Sequence, residues 1–230
     1  KLAAILQGRA PASLLATHDT ERQHGARENI LHSTRATDFM TPKNAATRLF
    51  RDTVLDLARD YPFARSLVNS GRLSTPCTYD DTPLNTPDQA DFAERMRPGS
   101  PCLDAPVVGA GGQQEWLLER LGNRFTLLLY GDFTTSARQQ LEAALASLEG
   151  EGNHIGALWV LPQGQQAGDD NEIADSQGIL AQRYDLRQGA IYLIRPDQHV
   201  CARWRTLDPD AVVRAVHRAL GRNLAEEQAA

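Results

Sequence analysis

The sequence predicts an α/β protein in which an N-terminal helical segment precedes a mixed central sheet. Two observations predict this class: the first part of the chain spaces its apolar residues as helices do, and the last part alternates short buried-strand patterns with helices. The chain has 230 residues and is 41% hydrophobic, enough for a buried core. Its longest apolar runs, at 127–130 and 157–161, are far shorter than the ~20 residues of a membrane span. We therefore expect a globular protein with no membrane partner.

The N-terminal part predicts three helices, over 1–7, from 11 towards 35, and over 43–60. Gly8 closes the first of them, because glycine tolerates the left-handed conformation that commonly ends a helix. Pro42 requires the second to end by Thr41, and Pro62 breaks or kinks the third. We expect this segment to occupy residues 1–70 and to cover another part of the protein.

A proline-rich connection is predicted over 71–97, where the chain is polar and too interrupted for a long helix or a central strand. Net charge changes at its end, from +1 over 1–97 to −6 over 98–230. We place a domain boundary near Pro98 and expect a second domain over 98–222, followed by a tail over 223–230.

The second domain predicts a regular succession of elements. A buried strand at 124–130, an amphipathic helix at 135–148 and a strand at 154–161 form a βαβ unit. A helix at 173–184 follows, then a hairpin of strands at 190–195 and 199–205, and a closing helix that starts after Asp208. The order β-α-β-α-β-β-α is that of a thioredoxin-like domain.

Thiol chemistry is not expected of this domain. A redox-active relative carries its cysteine after the first central strand, where the next helix lowers the thiol pKa, but residues 131–136 contain none. Cys102 and Cys201 fit packing positions, and Cys77 has no assigned role. The glycine-rich stretch 108–112 lacks a preceding strand and the third glycine of a nucleotide-binding fingerprint, so we interpret it as a surface loop before a helix at 115–121.

The distribution of charge and the spacing of histidine and cysteine residues argue against nucleic-acid binding, metal binding and a disulfide framework. The basic residues, 22 arginines and two lysines, are scattered among 29 acidic ones, so nucleic acid is not an expected partner. The six histidines form no metal-ligand motif, and three widely spaced cysteines fit neither a zinc site nor a disulfide framework. We expect a reducing, cytoplasmic compartment, and no catalytic, cofactor-binding or metal residue is assigned.

Several segments resemble single-component FAD-dependent aromatic-ring monooxygenases, the group of phenol 2-monooxygenase and 3-(3-hydroxyphenyl)propionate hydroxylase. The first stretch, Lys-Leu-Ala-Ala-Ile-Leu-Gln-Gly-Arg-Ala-Pro, is similar to the segment just after that family's last flavin-binding motif. Similar pieces follow in the same order through nearly the whole chain, at 18–22, 37–42, 71–74, 97–101, 125–128 and 192–197. His18 departs from the family's usual tyrosine.

The resemblance implies a C-terminal portion of an enzyme that uses FAD and NAD(P)H to hydroxylate an aromatic ring. The family's flavin motifs and substrate pocket precede the residue that matches Lys1, so no FAD or NAD(P)H is expected on this chain alone. The implied partner is the N-terminal FAD- and substrate-binding domain of the same protein, with homodimerisation as an open alternative.

Three functional hypotheses remain. A noncatalytic portion of such a hydroxylase predicts an exposed apolar face on the first helices, where the absent domain docks. A stand-alone thioredoxin-like interaction or dimerisation module is the alternative. A thiol peroxidase requires Cys102 or Cys201 to be reactive.

Overall fold

The computed structural model describes residues 1–68 and 76–222. The beginning of the predicted connection, including 71–74, and the predicted tail at 223–230 lie outside the described residues. The chain divides into a sheet unit, Lys1–His18 with Thr78–Ala230, and a helical unit, Asp19–Cys77. Each unit is described below by itself.

The N-terminal helices are α1 (Leu2–Leu6), α2 (Leu14–Met40), α3 (Ala45–Asp60) and α4 (Pro62–Val68). Gly8 follows α1 with φ +70°, as expected for a residue that ends a helix. Asn44 caps α3 by accepting a hydrogen bond from the Thr47 amide at 2.9 Å. Pro62 does more than break α3: it opens α4, because proline is well tolerated in the first turn of a helix.

Within the helical unit, α4 folds back along α3. Arg65 donates hydrogen bonds from Nε to the Ala58 carbonyl at 3.0 Å and from Nη2 to the Arg59 carbonyl at 3.3 Å. Val54 of α3 and Ala64 of α4 are buried. Most other apolar side chains of these two helices stay exposed.

Besides α1 and the start of α2, the described part of the sheet unit has seven strands and three α-helices, which follow the order of the thioredoxin-like prediction with added strands. The strands are β1 (Pro106–Val108), β2 (Gln114–Trp116), β3 (Phe125–Tyr130), β4 (Ile155–Leu161), β5 (Glu172–Ala174), β6 (Ile191–Ile194) and β7 (Val200–Trp204). The helices are α5 (Thr135–Gly150), α6 (Ile179–Tyr184) and α7 (Pro209–Ala219), and a short 3-10 helix spans Leu117–Arg120.

The sheet is mixed, in the order β2-β1-β5-β4-β3-β6-β7. Strand β4 pairs in parallel with β3 and β5, and β6 pairs antiparallel with β3 and β7. One face buries Leu128, Val160 and Tyr192, and the other buries Leu127, Leu193 and Val216 of α7. Alternate residues of β3 thus fill both layers, which is why that strand is apolar throughout.

Three predicted elements need correction. Val108, the first residue of the predicted loop, is the last residue of strand β1, and 109–112 is the turn between β1 and β2. The helix predicted at 115–121 is the end of β2 followed by the 3-10 helix. Ile173 belongs to β5, and the helix predicted from it starts only at Ile179. Each error falls on a strand of three residues, too short to show the alternation that identifies a strand.

The proline-rich segment from Tyr79 to Pro101 is fixed to β7. Backbone hydrogen bonds run from Thr86 to the Cys201 carbonyl and from Gly99 to the Val200 carbonyl, at 2.8 and 2.7 Å. Gly99 has φ +94°, and a Cβ there would stand 2.3 Å from the Tyr79 carbonyl oxygen, so only glycine fits. This segment is therefore ordered without being a helix or a strand.

An arginine clamp reinforces the same contact. Arg203 of β7 is buried and binds Asp88 through Nη2 at 2.6 Å and the carbonyls of Ala93 and Arg95 through Nη1 at 3.0 and 2.9 Å. Its guanidinium also stacks over the Phe92 ring, 4.5 Å from the centroid. Almost the full donor capacity of the buried arginine is thereby used on the irregular segment.

Candidate functional site

The loop after β3 is where a thioredoxin-like enzyme would carry its thiol. Thr134 caps α5 here, accepting a hydrogen bond from the Ala137 amide at 3.2 Å. Gln188 donates from Nε2 to the Asp132 carbonyl at 2.6 Å. The helix terminus that would stabilise a thiolate is thus capped by a hydroxyl, and the loop is tied down by neutral hydrogen bonds.

The two cysteines of the sheet unit are packing residues. Cys102 and Cys201 are buried, and burial raises the pKa of each thiol to about 12. At neutral pH both are therefore protonated and poor nucleophiles. Burial of both residues agrees with the packing interpretation and does not favour the thiol peroxidase hypothesis. Cys77 is half-buried and lies outside the sheet unit.

The structure also shows where the other kinds of site considered from the sequence stand. Within the described residues, histidine, cysteine and carboxylate side chains form no group able to hold a metal ion. The glycines at 109–112 lie in the turn of a hairpin and do not precede a helix as a dinucleotide-binding loop would. Among the described helices, none is long and apolar enough to cross a membrane.

An exposed apolar surface lies on the helical unit. Leu49 is 70% exposed, Phe50 60% and Phe63 of α4 65%. Leu57 and Leu67 are exposed as well. We call Leu49, Phe50, Leu57, Phe63 and Leu67 the apolar helical surface. Large adjacent apolar side chains in water are a feature of interaction sites, so this is the exposed face expected on the first helices.

The sheet unit contains a cavity of about 820 Å³ that the sequence did not indicate. It lies at the amino-terminal ends of β3 and β4, the opposite end of the sheet from the loop after β3. Its walls also include α1, the turn between β6 and β7, and the end of α7. Its volume is in the range of small-molecule binding sites.

Asn153 belongs to the wall of this cavity, and its side-chain amide is buried and lacks partners among the described residues. The residue is 1% exposed, and neither Oδ1 nor Nδ2 has a hydrogen-bond partner among the described residues. Its backbone amide donates to the Leu148 carbonyl at 3.0 Å, which fixes the turn between α5 and β4. An unsatisfied buried amide costs about 1–3 kcal/mol, so the Asn153 side chain lowers the free energy of unfolding.

Two arginines give the cavity positive charge. Arg124 has no ion pair or hydrogen bond within the described part of the chain, and the Arg9 guanidinium contacts only the neutral Gln7 amide, at 3.1 Å from Nε. Arg124 lies against Gly156, where a Cβ would stand 2.7 Å from its Nε. The absence of a side chain at Gly156 is what lets Arg124 occupy this position.

Lys1 adds a further positive charge to the wall, and two other charged residues of the wall, Arg195 and Asp197, form an ion pair. Arg195 binds Asp197 at 2.6 Å, and His199 lies 3.6 Å from the same carboxylate. Burial opposes ionisation of Asp197, but the His199 hydrogen bond and the Arg195 charge outweigh it and hold the pKa of this carboxyl well below its usual value. Asp197 therefore stays charged and does not neutralise Arg9 or Arg124.

Arg222 braces one wall of the cavity. It donates from Nη2 to the Arg9 carbonyl at 2.9 Å and forms an ion pair with Glu151. Glu151 also contacts His217 of α7 at 2.8 Å. The loop after α1, the end of α5 and the end of α7 are thus held together around the cavity.

Comparison with known proteins places the chain in a class. It is 29% identical over 206 residues to the 3-(3-hydroxy-phenyl)propionate/3-hydroxycinnamic acid hydroxylase of Mycobacterium avium (strain 104), covering 86% of this chain and 34% of that protein. The corresponding hydroxylase of Mycolicibacterium gilvum (strain PYR-GCK) is 27% identical, with 88% and 36% covered. The chain thus spans about a third of the length of these curated relatives.

Solved structures share the fold. The flavin-dependent monooxygenase PieE, in complex with FAD and substrate, matches with a TM-score of 0.64 and 18% identity over 95% of this chain and 42% of that one. Aklavinone-11 hydroxylase, with FAD and aklavinone, matches with a TM-score of 0.55 and 21% identity over 96% and 37%. The matches define the class: this chain corresponds to the C-terminal portion of FAD-dependent aromatic-ring monooxygenases.

The particular family follows from a family model. The model of the HcaD C-terminal domain matches residues 102–219, about half of the chain. The chain belongs to the HcaD C-terminal domain family.

Proposed function

We propose that this chain is the noncatalytic, structural portion of an FAD- and NAD(P)H-dependent aromatic hydroxylase. In this proposal the apolar helical surface docks on the FAD- and substrate-binding part of the same protein. That surface is the observation that carries the proposal. The proposed organisation is a helical end of the catalytic region at 1–70, a connection at 71–97, a thioredoxin-like domain at 98–222 and a tail at 223–230.

The distribution of side chains on α3 supports a docking role. At 100° per residue, Leu49, Phe50 and Leu57 share one side of the helix, while Arg48 and Arg59 lie on the other. The helix is therefore amphipathic, yet its apolar side is exposed. Burying one such leucine or phenylalanine stabilises by about 1.5–3 kcal/mol, so a partner that covers this side gains substantial free energy.

The lengths of the relatives support the choice of partner. The matching hydroxylases are about three times as long as the matched region, since that region is 34% and 36% of them. A polypeptide of that length contributes further domains beside the matched third. A domain of the same protein is present at a high effective concentration, so it is the natural occupant of the apolar helical surface.

The noncatalytic role rests on the chemistry of the sheet unit. The loop at 131–136 contains no cysteine, and burial keeps the Cys102 and Cys201 thiols protonated. When bound, FAD supplies the redox chemistry of the proposed hydroxylase; the present chain contributes docking surface and support. No disulfide joins cysteines among the described residues, which agrees with a cytoplasmic location as part of the proposal.

The proposal is tested with the Mycobacterium avium hydroxylase shortened by the third that matches this chain. Mixed with this chain, the shortened relative is expected to form a one-to-one complex in size-exclusion chromatography with light scattering. Phe50→Gln together with Leu57→Gln should remove the complex. Arg48→Gln together with Arg59→Gln, on the charged side of α3, should leave it intact.

Two results would contradict the proposal. A complex that survives the Phe50→Gln and Leu57→Gln changes would show that the apolar helical surface is not the contact. A monodisperse homodimer that uses this surface and ignores the shortened relative would favour a stand-alone dimerisation module.

A further inference from the structure

One border of the apolar helical surface is acidic. Asp52, Asp56 and Asp60 follow one another every fourth residue along α3, and all three are exposed. On a helix, residues four positions apart form a row, and residues three positions apart lie in adjacent rows. Asp52 lies three residues beyond Leu49, and the other two carboxylates repeat this offset, so they form the row next to the exposed leucines of the surface. We call Asp52, Asp56 and Asp60 the acidic row.

The other border of the surface is formed by α4. Val54, the buried residue of α3, lies about 160° around the helix from Asp56, and α4 packs on that side. Phe63 and Leu67 of α4 are exposed and continue the apolar surface. The surface thus has carboxylates along one border and apolar side chains along the other.

The carboxylates of the acidic row do not stabilise α3. Like charges four residues apart repel each other, and Asp60 is the last residue of the helix, where a negative charge opposes the helix dipole. Asp52 pairs with the adjacent Arg51 at 2.7 Å, and ion pairs at the protein surface contribute little. Within the described part of the chain, Asp56 forms no ion pair. The negative charge of the row is therefore available to another molecule.

We infer that the apolar helical surface selects a partner with basic side chains beside its apolar contact, and that this partner is the FAD- and substrate-binding part of the same protein and not a second copy of the chain. The inference rests on the docking proposed above and adds the charge of the contact. Arginine or lysine side chains of that part pair with the acidic row at the rim of the contact. Charges at the rim of an interface speed association and fix the orientation of the partners.

A second copy of the chain fits this surface poorly in either two-fold arrangement. When two α3 helices meet antiparallel across a two-fold axis, each border meets its own counterpart, so the two acidic rows face each other and repel. When they meet parallel, the acidic row of each copy lies against Phe63 and Leu67 of the other. The carboxylates then lose water without gaining a cation. The charge of the acidic row thus opposes both arrangements.

Surface plasmon resonance of the full chain with the shortened Mycobacterium avium hydroxylase tests the inference. In about 20 mM salt, Asp52→Asn, Asp56→Asn and Asp60→Asn combined should slow association about tenfold and change dissociation by less than about threefold. Raising the salt to about 0.5 M should slow the unmodified chain to the rate of this variant, because salt screens exposed charges. Circular dichroism confirms that the variant is folded.

A matched control removes the same amount of charge elsewhere. Glu142→Gln, Glu149→Gln and Asp210→Asn combined neutralise three exposed carboxylates of α5 and α7 in the sheet unit. This variant should associate at the rate of the unmodified chain. Sedimentation equilibrium of the chain alone should show no dimer that Phe50→Gln with Leu57→Gln removes.

Three results would overturn the inference while the complex still forms or the chain pairs with itself. They are an acidic-row variant that associates as fast as the unmodified chain in low salt, a control that slows association equally, and a dimer of the chain through the apolar helical surface. The first two leave the docking proposal intact, because they concern only the charge of the contact. Absence of any complex with the unmodified chain would overturn the docking proposal and the inference together.

Discussion

The sheet unit and the helical unit differ in the burial of their apolar residues. In the sheet unit Leu127, Leu128 and Leu129 are completely buried. Helices α5 and α7 cover one face of the sheet, and α6 with the proline-rich segment covers the other. In the helical unit Leu49 and Phe63 are mostly exposed, although α3 has the apolar spacing of a core helix. The difference shows that the sheet unit buries its apolar strands, whereas the helical unit carries the exposed surface to which we assign docking in the proposed function.

The largest expected contrast in the free energy of unfolding comes from a leucine-to-alanine change in each unit. Leu128→Ala should lower the free energy of unfolding by about 2–5 kcal/mol, because it leaves a cavity in a closed core. Leu49→Ala should change it by less than about 0.5 kcal/mol, because the side chain is already in water. Urea unfolding of both variants measures the contrast, and equal losses would show that the two units are packed alike.

Removing the arginine clamp tests whether the contacts between the proline-rich segment and β7 stabilise the sheet unit. Arg203→Ala should cost about 3 kcal/mol, since it strips Asp88 and two backbone carbonyls of their buried partner. The exposed Arg214→Ala of α7 serves as the control and should cost less than about 1 kcal/mol. Faster proteolysis within 79–101 in the first variant alone is expected. Unchanged cleavage would mean that the backbone contacts to β7 suffice.

Asp197 tests the electrostatics beside the cavity. Its folded pKa lies below the unfolded value of about 3.9, so its contribution to stability is present above pH ~4 and is lost as the pH falls below that value. Asp197→Asn should therefore lower stability at pH 7 by about 1 kcal/mol, a modest figure for a half-exposed carboxylate. The difference in melting temperature from the unmodified chain should shrink between pH 4 and pH 2. A difference independent of pH would contradict the ion pair.

Substitutions in the apolar helical surface should have the smallest effect on stability, although they should abolish the proposed complex. Phe50→Gln with Leu57→Gln should leave the unfolding free energy within about 0.5 kcal/mol per site and lower the fluorescence of a bound apolar dye such as ANS. Arg48→Gln with Arg59→Gln is the matched control and should leave dye binding unchanged. An equal loss of dye signal in both variants would show that the dye reports another surface.

Long periodic elements could be predicted from the sequence, and short ones could not. The apolar run of β3 and the capped helix α7 have the predicted type, with ends shifted by about a residue, as is usual. Strands β1 and β5 were missed because three residues show no alternation and Pro106 argued against a strand. Strand β1 also pairs with β5, 66 residues later in the chain (Val108 with Ala174), and that pairing is defined only by the folded sheet.

The candidate sites illustrate a second limit. Helical spacing marked α3 as amphipathic, but spacing alone does not say whether the apolar side is covered. The cavity gave no signal, because its walls come from segments distant in the sequence, among them α1, α7 and the turn at Pro196. Arg124 was likewise one of 22 arginines until the fold placed it beside the cavity.

The absorption spectrum of the purified chain after saturation with FAD and removal of free ligand tests the central claim most directly. The account places the flavin on another part of the proposed hydroxylase and predicts a colourless protein. Retained flavin absorbance approaching one equivalent per chain would contradict it, because the chain would then hold a cofactor site of its own.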